Sequence, residues 1–277
     1  TAFGSWIEAN ARQARVYSET SGTNPVVLES VTDLAKVLRA LAGSLCLFSG
    51  QMCTTPQNFF VPFGGVRTPE GPVRPAEFAR RLAEAAETII GNPRRAASIC
   101  GAVQSARTVD ELARLAEVVG DRGTVVLQPR AWRHPDEPAA RTIGPLVALL
   151  DIADHHLYRD ECFGPVAFVI TAGDAEQALR QAAADASEPG AITAFVYSTD
   201  AGYLRRAEDA FALAGAALTM NLTGSMPIQF SAAYADYHVS GLNPSGNATL
   251  CDDTFVAGRF RVVQSRRPMT STSGVRK

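Results

Sequence analysis

The sequence predicts an α/β fold, a mostly parallel sheet with helices on both faces, and three observations carry the prediction. Strand-like runs alternate with helix-like segments of ten or more residues, as in βαβ units. Two of the runs, VAFVI and ITAFVY, are apolar throughout, as suits strands covered on both faces. At 277 residues, 46% of them apolar, the chain is long enough for a sizeable core in one large or two modest domains.

The elements follow in order. Residues 1–14 read as an amphipathic helix with Phe3, Trp6, Ile7 and Ala11 on one face. A chain that opens inside a helix, on Thr1, is expected to be a piece of a longer protein. Residues 25–28 form a buried strand, and 31–48 carry apolar residues at helical spacing up to Gly50. A strand at 58–63 leads into PFGGVRTPEGPVRP, whose Gly and Pro content makes residues 62–75 a loop. Helices at 76–90 and 109–119 precede strands at 124–128 and 146–150. The remainder alternates: strand 164–171, helix 174–186, strand 192–197, helix 201–213, strand 216–221, and a disordered end, RRPMTSTSGVRK.

Composition excludes several classes of function. No run of 18 apolar residues exists, so no transmembrane helix is expected and no membrane partner is assigned. A net charge of −2 leaves no electrostatic footprint for nucleic acid, and Arg266, Arg267, Arg276 and Lys277 make too short a basic end. Five cysteines without CxxC pairing disfavour a disulfide framework or a zinc site, so a reducing cytoplasm and no metal are expected.

Three places could carry chemistry. Cys53, in SGQMCTTPQ, follows a long helix, and Pro56 is suited to the first turn of a new one; free N–H groups and a positive dipole end there would favour the thiolate. Taken alone, such a cysteine is more often a buried structural thiol, the reading kept for Cys46, Cys100 and Cys251. Glu19, in YSETSGTNP, stands before a strand where burial could make it a base, although a solvated turn residue is the commoner case. In DECFGPV a tight Gly-Pro turn would hold Glu161 and Phe163 at a strand mouth, where parallel α/β sheets often bind ligands. The competing account makes Glu161 a helix cap and Phe163 a core plug. His155 and His156 read as solvent-facing loop positions.

These residues resemble the aldehyde dehydrogenase superfamily, whose pattern runs from ELGGKNP through GQxCT to EEIFGPV. The corresponding stretches are ETSGTNP from Glu19 to Pro25, GQMCT from Gly50 to Thr54, and DECFGPV from Asp160 to Val166, with Glu19 and Cys53 separated by the family's 34 residues. Thr20, Ser21 and Thr23 replace the usual Leu, Gly and Lys. The resemblance implies a Rossmann-like catalytic domain over 25–264 with a C-terminal return and oligomerisation segment, a remnant of the dinucleotide-binding domain at 1–24, and a tail at 265–277. It implies Cys53 as nucleophile, Glu19 as the base that activates water, and Glu161 and Phe163 as contacts for the nicotinamide half of NAD or NADP, most of whose binding domain lies outside this chain. SGQMCTTPQN and the ending NPSGNATLCDDTFVAGRFRVVQSR look like the phenylacetic acid degradation aldehyde dehydrogenases (PaaN and PaaZ types), implying a small-molecule aldehyde, in particular a coenzyme A-linked semialdehyde. Homodimerisation through a C-terminal strand is implied as well, with 260–263 as the nominated edge. Two other classes stay open: an inert folding or assembly domain, and a cysteine hydrolase, which would need a histidine beside Cys53.

Overall fold

The computed structural model describes residues 2–13, 22–224, 228 and 264–268. Glu19, Cys251 and the nominated edge at 260–263 lie outside the described residues, so their assignments stand on sequence alone.

The predicted α/β layering is present. Among the described residues eight strands form one sheet in the order β3-β4-β5-β2-β1-β6-β7-β8. They are β1 (Asn24–Leu28), β2 (Pro56–Pro62), β3 (Thr124–Leu127), β4 (Leu146–Asp151), β5 (Val166–Ala172), β6 (Thr193–Tyr197), β7 (Ala217–Met220) and β8 (Ser265–Arg266). All pairings are parallel except β3 with β4, the antiparallel edge. Strand β8 takes the first two residues of the expected 265–277 tail and pairs them with β7, Leu218 opposite Ser265, so the tail reading does not hold there.

Both faces are covered. Successive residues of β1 point to opposite sides, Val26 and Leu28 into one apolar cluster and Val27 into the other, and all three have no exposed surface. On the first face lie α2 (Leu34–Cys46), α3 (Pro75–Ile90) and α4 (Pro93–Ile99), anchored by Leu41, Phe78 and Ala96; α1 (Ala2–Asn10) opens the chain. On the second lie α5 (Ala106–Gly120), α7 (Ala175–Asp185) and α8 (Ala201–Ala214), anchored by Leu112, Ala178 and Phe211. A short α6 (His155–Tyr158) sits between β4 and β5. Each fully buried Phe or Leu of these clusters contributes roughly 1.5–3 kcal/mol, which is why alternation of apolar positions suffices to select the layering.

Helix starts follow local chemistry: Asp33, Asp174 and Asp200 cap α2, α7 and α8 through their carboxylates, and Ser105 caps α5. Helix α4 has no long apolar period and the sequence reading missed it; Asn92 caps it and Pro93 occupies its first turn. Pro25 is tolerated in a central strand because the β1–β2 register shifts between Asn24 and Pro25.

Candidate functional site

The turn that carries Cys53 starts from strained backbone. After α2 the chain makes a 3-10 turn at Leu47–Gly50, in which Phe48 (φ 51), Ser49 (φ 54) and Gly50 (φ +67) are all left-handed. For a non-glycine residue that conformation costs roughly 1–2 kcal/mol, so neighbours must hold it. Ser49 Oγ donates to Cys100 O at 2.8 Å, Gln51 Nε2 donates to Phe48 O at 2.8 Å and Ala102 O at 3.1 Å, and Gln51 Oε1 accepts from Gln104 N at 2.9 Å. Gly50 has a second reason to be glycine: a Cβ there would stand 2.4 Å from Gly164 O, so this turn packs directly on the approach to β5.

Cys53 follows in a tight turn closed by Thr55 N donating to Met52 O at 3.0 Å, and it is half-buried. The expected helix after it is absent. Pro56 opens β2, because the residues after it, QNFFV, are needed as the fully buried strand between β1 and β5. The helix-dipole argument for a thiolate at Cys53 therefore falls, and what holds the turn is a side-chain amide. Asn24, 2% exposed at the start of β1, donates through Nδ2 to Cys53 O at 2.9 Å and to Thr55 O at 3.0 Å. Its Oδ1 accepts from Ile192 N and Thr193 N, both at 3.2 Å. Around it the hydroxyls of Thr23, Thr54 and Thr55 are buried without a hydrogen-bond partner.

A second amide fixes the stretch with Glu161 and Phe163. Gln57 Nε2 donates to Asp160 O at 3.1 Å and its Oε1 accepts from Cys162 N at 2.8 Å, while Asn58 Nδ2 donates to Tyr158 O at 3.0 Å. Residues Gly50, Met52 and Thr55 thereby share one crevice with Glu161, Cys162 and Phe163. Phe163 is 48% exposed and so is no core plug. On the far side of Glu161 a cavity of about 290 Å³ is lined by Glu111, Arg114, His156 and Cys162. Burial first, then the charges of Glu111 and Glu161, push the Cys162 thiol up to about 11.

Two sequence expectations are corrected by this geometry. The DECFGPV stretch stands at a strand mouth, but at the amino ends of the strands, opposite the carboxyl ends where parallel sheets usually bind ligands. His155 is not a loop residue facing solvent: it lies in α6, its Nε2 2.7 Å from Oδ1 of the buried Asp185, whose carboxyl burial raises above the usual range.

The structure thus sets the turn that carries Cys53, through Gly50, Met52 and Thr55, against the stretch of Glu161 and Phe163. The sequence reading missed Asn24 and Gln57, although Asn24 ends the quoted ETSGTNP motif and Gln57 lies four residues after Cys53; an amide beside a motif is the signal that was present. An exposed aromatic ring and a carboxylate, Phe163 and Glu161, line the crevice that Met52 and Thr55 share, and these are the groups that would meet a nicotinamide half. Among the described residues no cluster of three or more metal-ligating side chains occurs.

Comparison with known proteins bears on the family and the fold. The aldehyde dehydrogenase family model matches residues 1–234. A solved NAD-dependent aldehyde dehydrogenase from Burkholderia multivorans is 41% identical and superposes with a TM-score of 0.84 over 93% of this chain and 46% of that one. Gamma-glutamyl-gamma-aminobutyraldehyde dehydrogenase from Burkholderia cenocepacia, at 24% identity and a TM-score of 0.63, shares the fold over 82% of this chain and 43% of its own. Among curated relatives, succinate semialdehyde dehydrogenase [NAD(P)+] Sad of Escherichia coli is 26% identical over 193 residues, and 1-pyrroline-5-carboxylate dehydrogenase of Bacillus cytotoxicus 24% over 212. The chain spans 38% and 39% of the length of these two relatives.

Proposed function

The chain belongs to the aldehyde dehydrogenase family, and from that premise we propose that the protein oxidises an aldehyde to a carboxylate through a thioester on Cys53, with NAD or NADP as oxidant. The observation that carries the reading is the half-buried Cys53 on a turn clamped by Asn24 and packed against the Glu161–Phe163 stretch. Cys53 Sγ bonds to the aldehyde carbon, and the Cys53 backbone N–H helps hold the resulting oxyanion. Glu161 and Phe163 would hold the ribose and ring of the nicotinamide half, which when bound accepts the substrate's hydride. Glu19, assigned from its motif, takes the proton of the water that cleaves the thioester and frees the Cys53 thiolate.

For the substrate we propose a semialdehyde carried on coenzyme A, formed after ring opening in phenylacetate degradation. The motif SGQMCTTPQN supports it, and retention of Glu19 supports water as acyl acceptor, since a thiol acceptor could deacylate Cys53 without that base. We place the protein in the cytoplasm as a homodimer. The cysteine hydrolase reading gains nothing, since His134 accepts from Asp136 N and Glu137 N and His155 pairs with Asp185. The test is turnover by the whole protein. Cys53→Ala abolishes it, and Glu19→Gln leaves a burst of reduced cofactor with a slow steady state. Normal steady-state turnover in Glu19→Gln would remove Glu19 from the mechanism. If small aldehydes matched the coenzyme A semialdehyde in kcat/KM, the aromatic-degradation assignment would be dropped.

A further inference from the structure

We propose that Asn24 is a positioning residue for the nucleophile: its buried amide fixes the turn on which Cys53 reacts and ties that turn to the start of β6. The inference rests on Cys53 being the nucleophile. Asn24 does more than fill space, because its hydrogen-bonding capacity is fully used. Both amide hydrogens go to the nucleophile turn, to Cys53 O and Thr55 O, and the amide oxygen takes Ile192 N and Thr193 N from β6.

No other side chain of similar size can do this. An ionised Asp has no hydrogen to donate and would face two carbonyl oxygens; a protonated Asp or a Ser has one; Ala has none and leaves two carbonyls and two N–H groups unpaired. A neutral amide also places no formal charge beside the sulfur, whereas a carboxylate there would oppose the thiolate. The backbone requires the same residue to be extended, since Pro25 follows it, and this puts the amide at the amino end of β1, level with Pro56 of β2.

The turn itself is closed by Thr55 N donating to Met52 O, and the nearby buried hydroxyls of Thr23, Thr54 and Thr55 have no hydrogen-bond partner among the described residues. Upstream, the left-handed residues Phe48 and Ser49 are held by the bonds of Ser49 and Gln51, whereas the Cys53 stretch itself is tied to β1 and to the start of β6 by the Asn24 amide.

The experiment compares Asn24→Ala, Asn24→Ser and Cys53→Ala in the whole protein. Active Cys53 is titrated so that rates are per competent site, and Cys53 alkylation by iodoacetamide is followed from pH 6 to 9. For Asn24→Ala the expected result is kcat per titrated Cys53 lower by about 10- to 100-fold, the scale of a displaced reacting group, with aldehyde KM changed less than about threefold. Alkylation slows in parallel, and Asn24→Ser recovers part of both. A purely structural role would lower only the fraction of competent sites. Rates per titrated site within about twofold of the parent in Asn24→Ala would overturn the proposal. Should Asn24→Ala not fold, Asn24→Ser carries the test, and parent-like kcat with parent-like alkylation overturns it. Activity surviving in Cys53→Ala would sink the reading of the nucleophile itself, whereas a dead Cys53→Ala beside normal Asn24 variants would sink only the positioning role.

Discussion

The two ends of the central strand β1 are each held by one buried polar residue, Asn24 at its start and Glu29 just past its end, and the two do opposite things. At the carboxyl end Glu29, 7% exposed, accepts from Ser30 Oγ at 2.5 Å and Ser198 Oγ at 2.7 Å and pairs with Arg67. Ser30 Oγ in turn lies 2.9 Å from Thr199 Oγ1 and accepts from Thr199 N at 2.8 Å, so this end is a charged, satisfied latch. At the amino end Asn24 is neutral, spends its donors on the Cys53 turn, and is surrounded by three unpartnered hydroxyls. The difference teaches where polar groups can be left unsatisfied: a stability latch closes its bonds within itself, whereas a site keeps unused donors and acceptors where a ligand arrives.

The comparison can be broken or sharpened by substitution. Gly50→Ala is expected to have the largest effect. It places a Cβ 2.4 Å from Gly164 O in left-handed backbone, for a loss of about 2–4 kcal/mol in urea denaturation together with slower Cys53 alkylation. If stability fell while alkylation kept its rate, the coupling between the 48–50 turn and the site would be refuted. Glu29→Ala comes next, with about 1–3 kcal/mol lost because two hydroxyls lose their acceptor. Cys53 alkylation there should be unchanged, and a slowed rate would mean that the two ends are not independent. Arg67→Ala is expected to cost about 0–1 kcal/mol, since its side chain is 63% exposed and water screens the pair.

The last prediction is a pH dependence. The folded Cys162 thiol titrates near 11 against an ordinary 9.0, so the unfolded chain loses that proton first as pH rises. Its contribution to stability is complete below pH 9.0 and is lost toward about 11. Thermal denaturation across that window should fall more steeply for the parent than for Cys162→Ser, and equal slopes would show that the Cys162 environment is more open than the structure has it.

Much of the fold was legible locally. Strand β6 and helix α8 are readable because the apolar run ITAFVY and the apolar positions of YLRRAEDAFALA each lie within one segment, and in the structure Asp200 caps the helix by accepting from Tyr203 N. What misled was chemistry that depends on a neighbour. Pro56 is a good first residue for either a helix or a strand; only the space between β1 and β5 decides for the strand. His155 was placed in a loop because its partner Asp185 is 30 residues away.

The sequence by itself determined the layering, since that rests on residue type and short spacing, and it nominated Cys53, Glu161 and Phe163 through their motifs. Tertiary structure alone decided at which end of the strands they lie, that Phe48 and Ser49 are left-handed, and that Asn24 and Gln57 hold the Cys53 turn and the Glu161 stretch. Asn24 meets its partners across 29, 31, 168 and 169 residues. A hydrogen bond requires a separation near 3 Å whatever the distance along the chain, so no local pattern encodes it, and only the closed sheet brings those groups within reach.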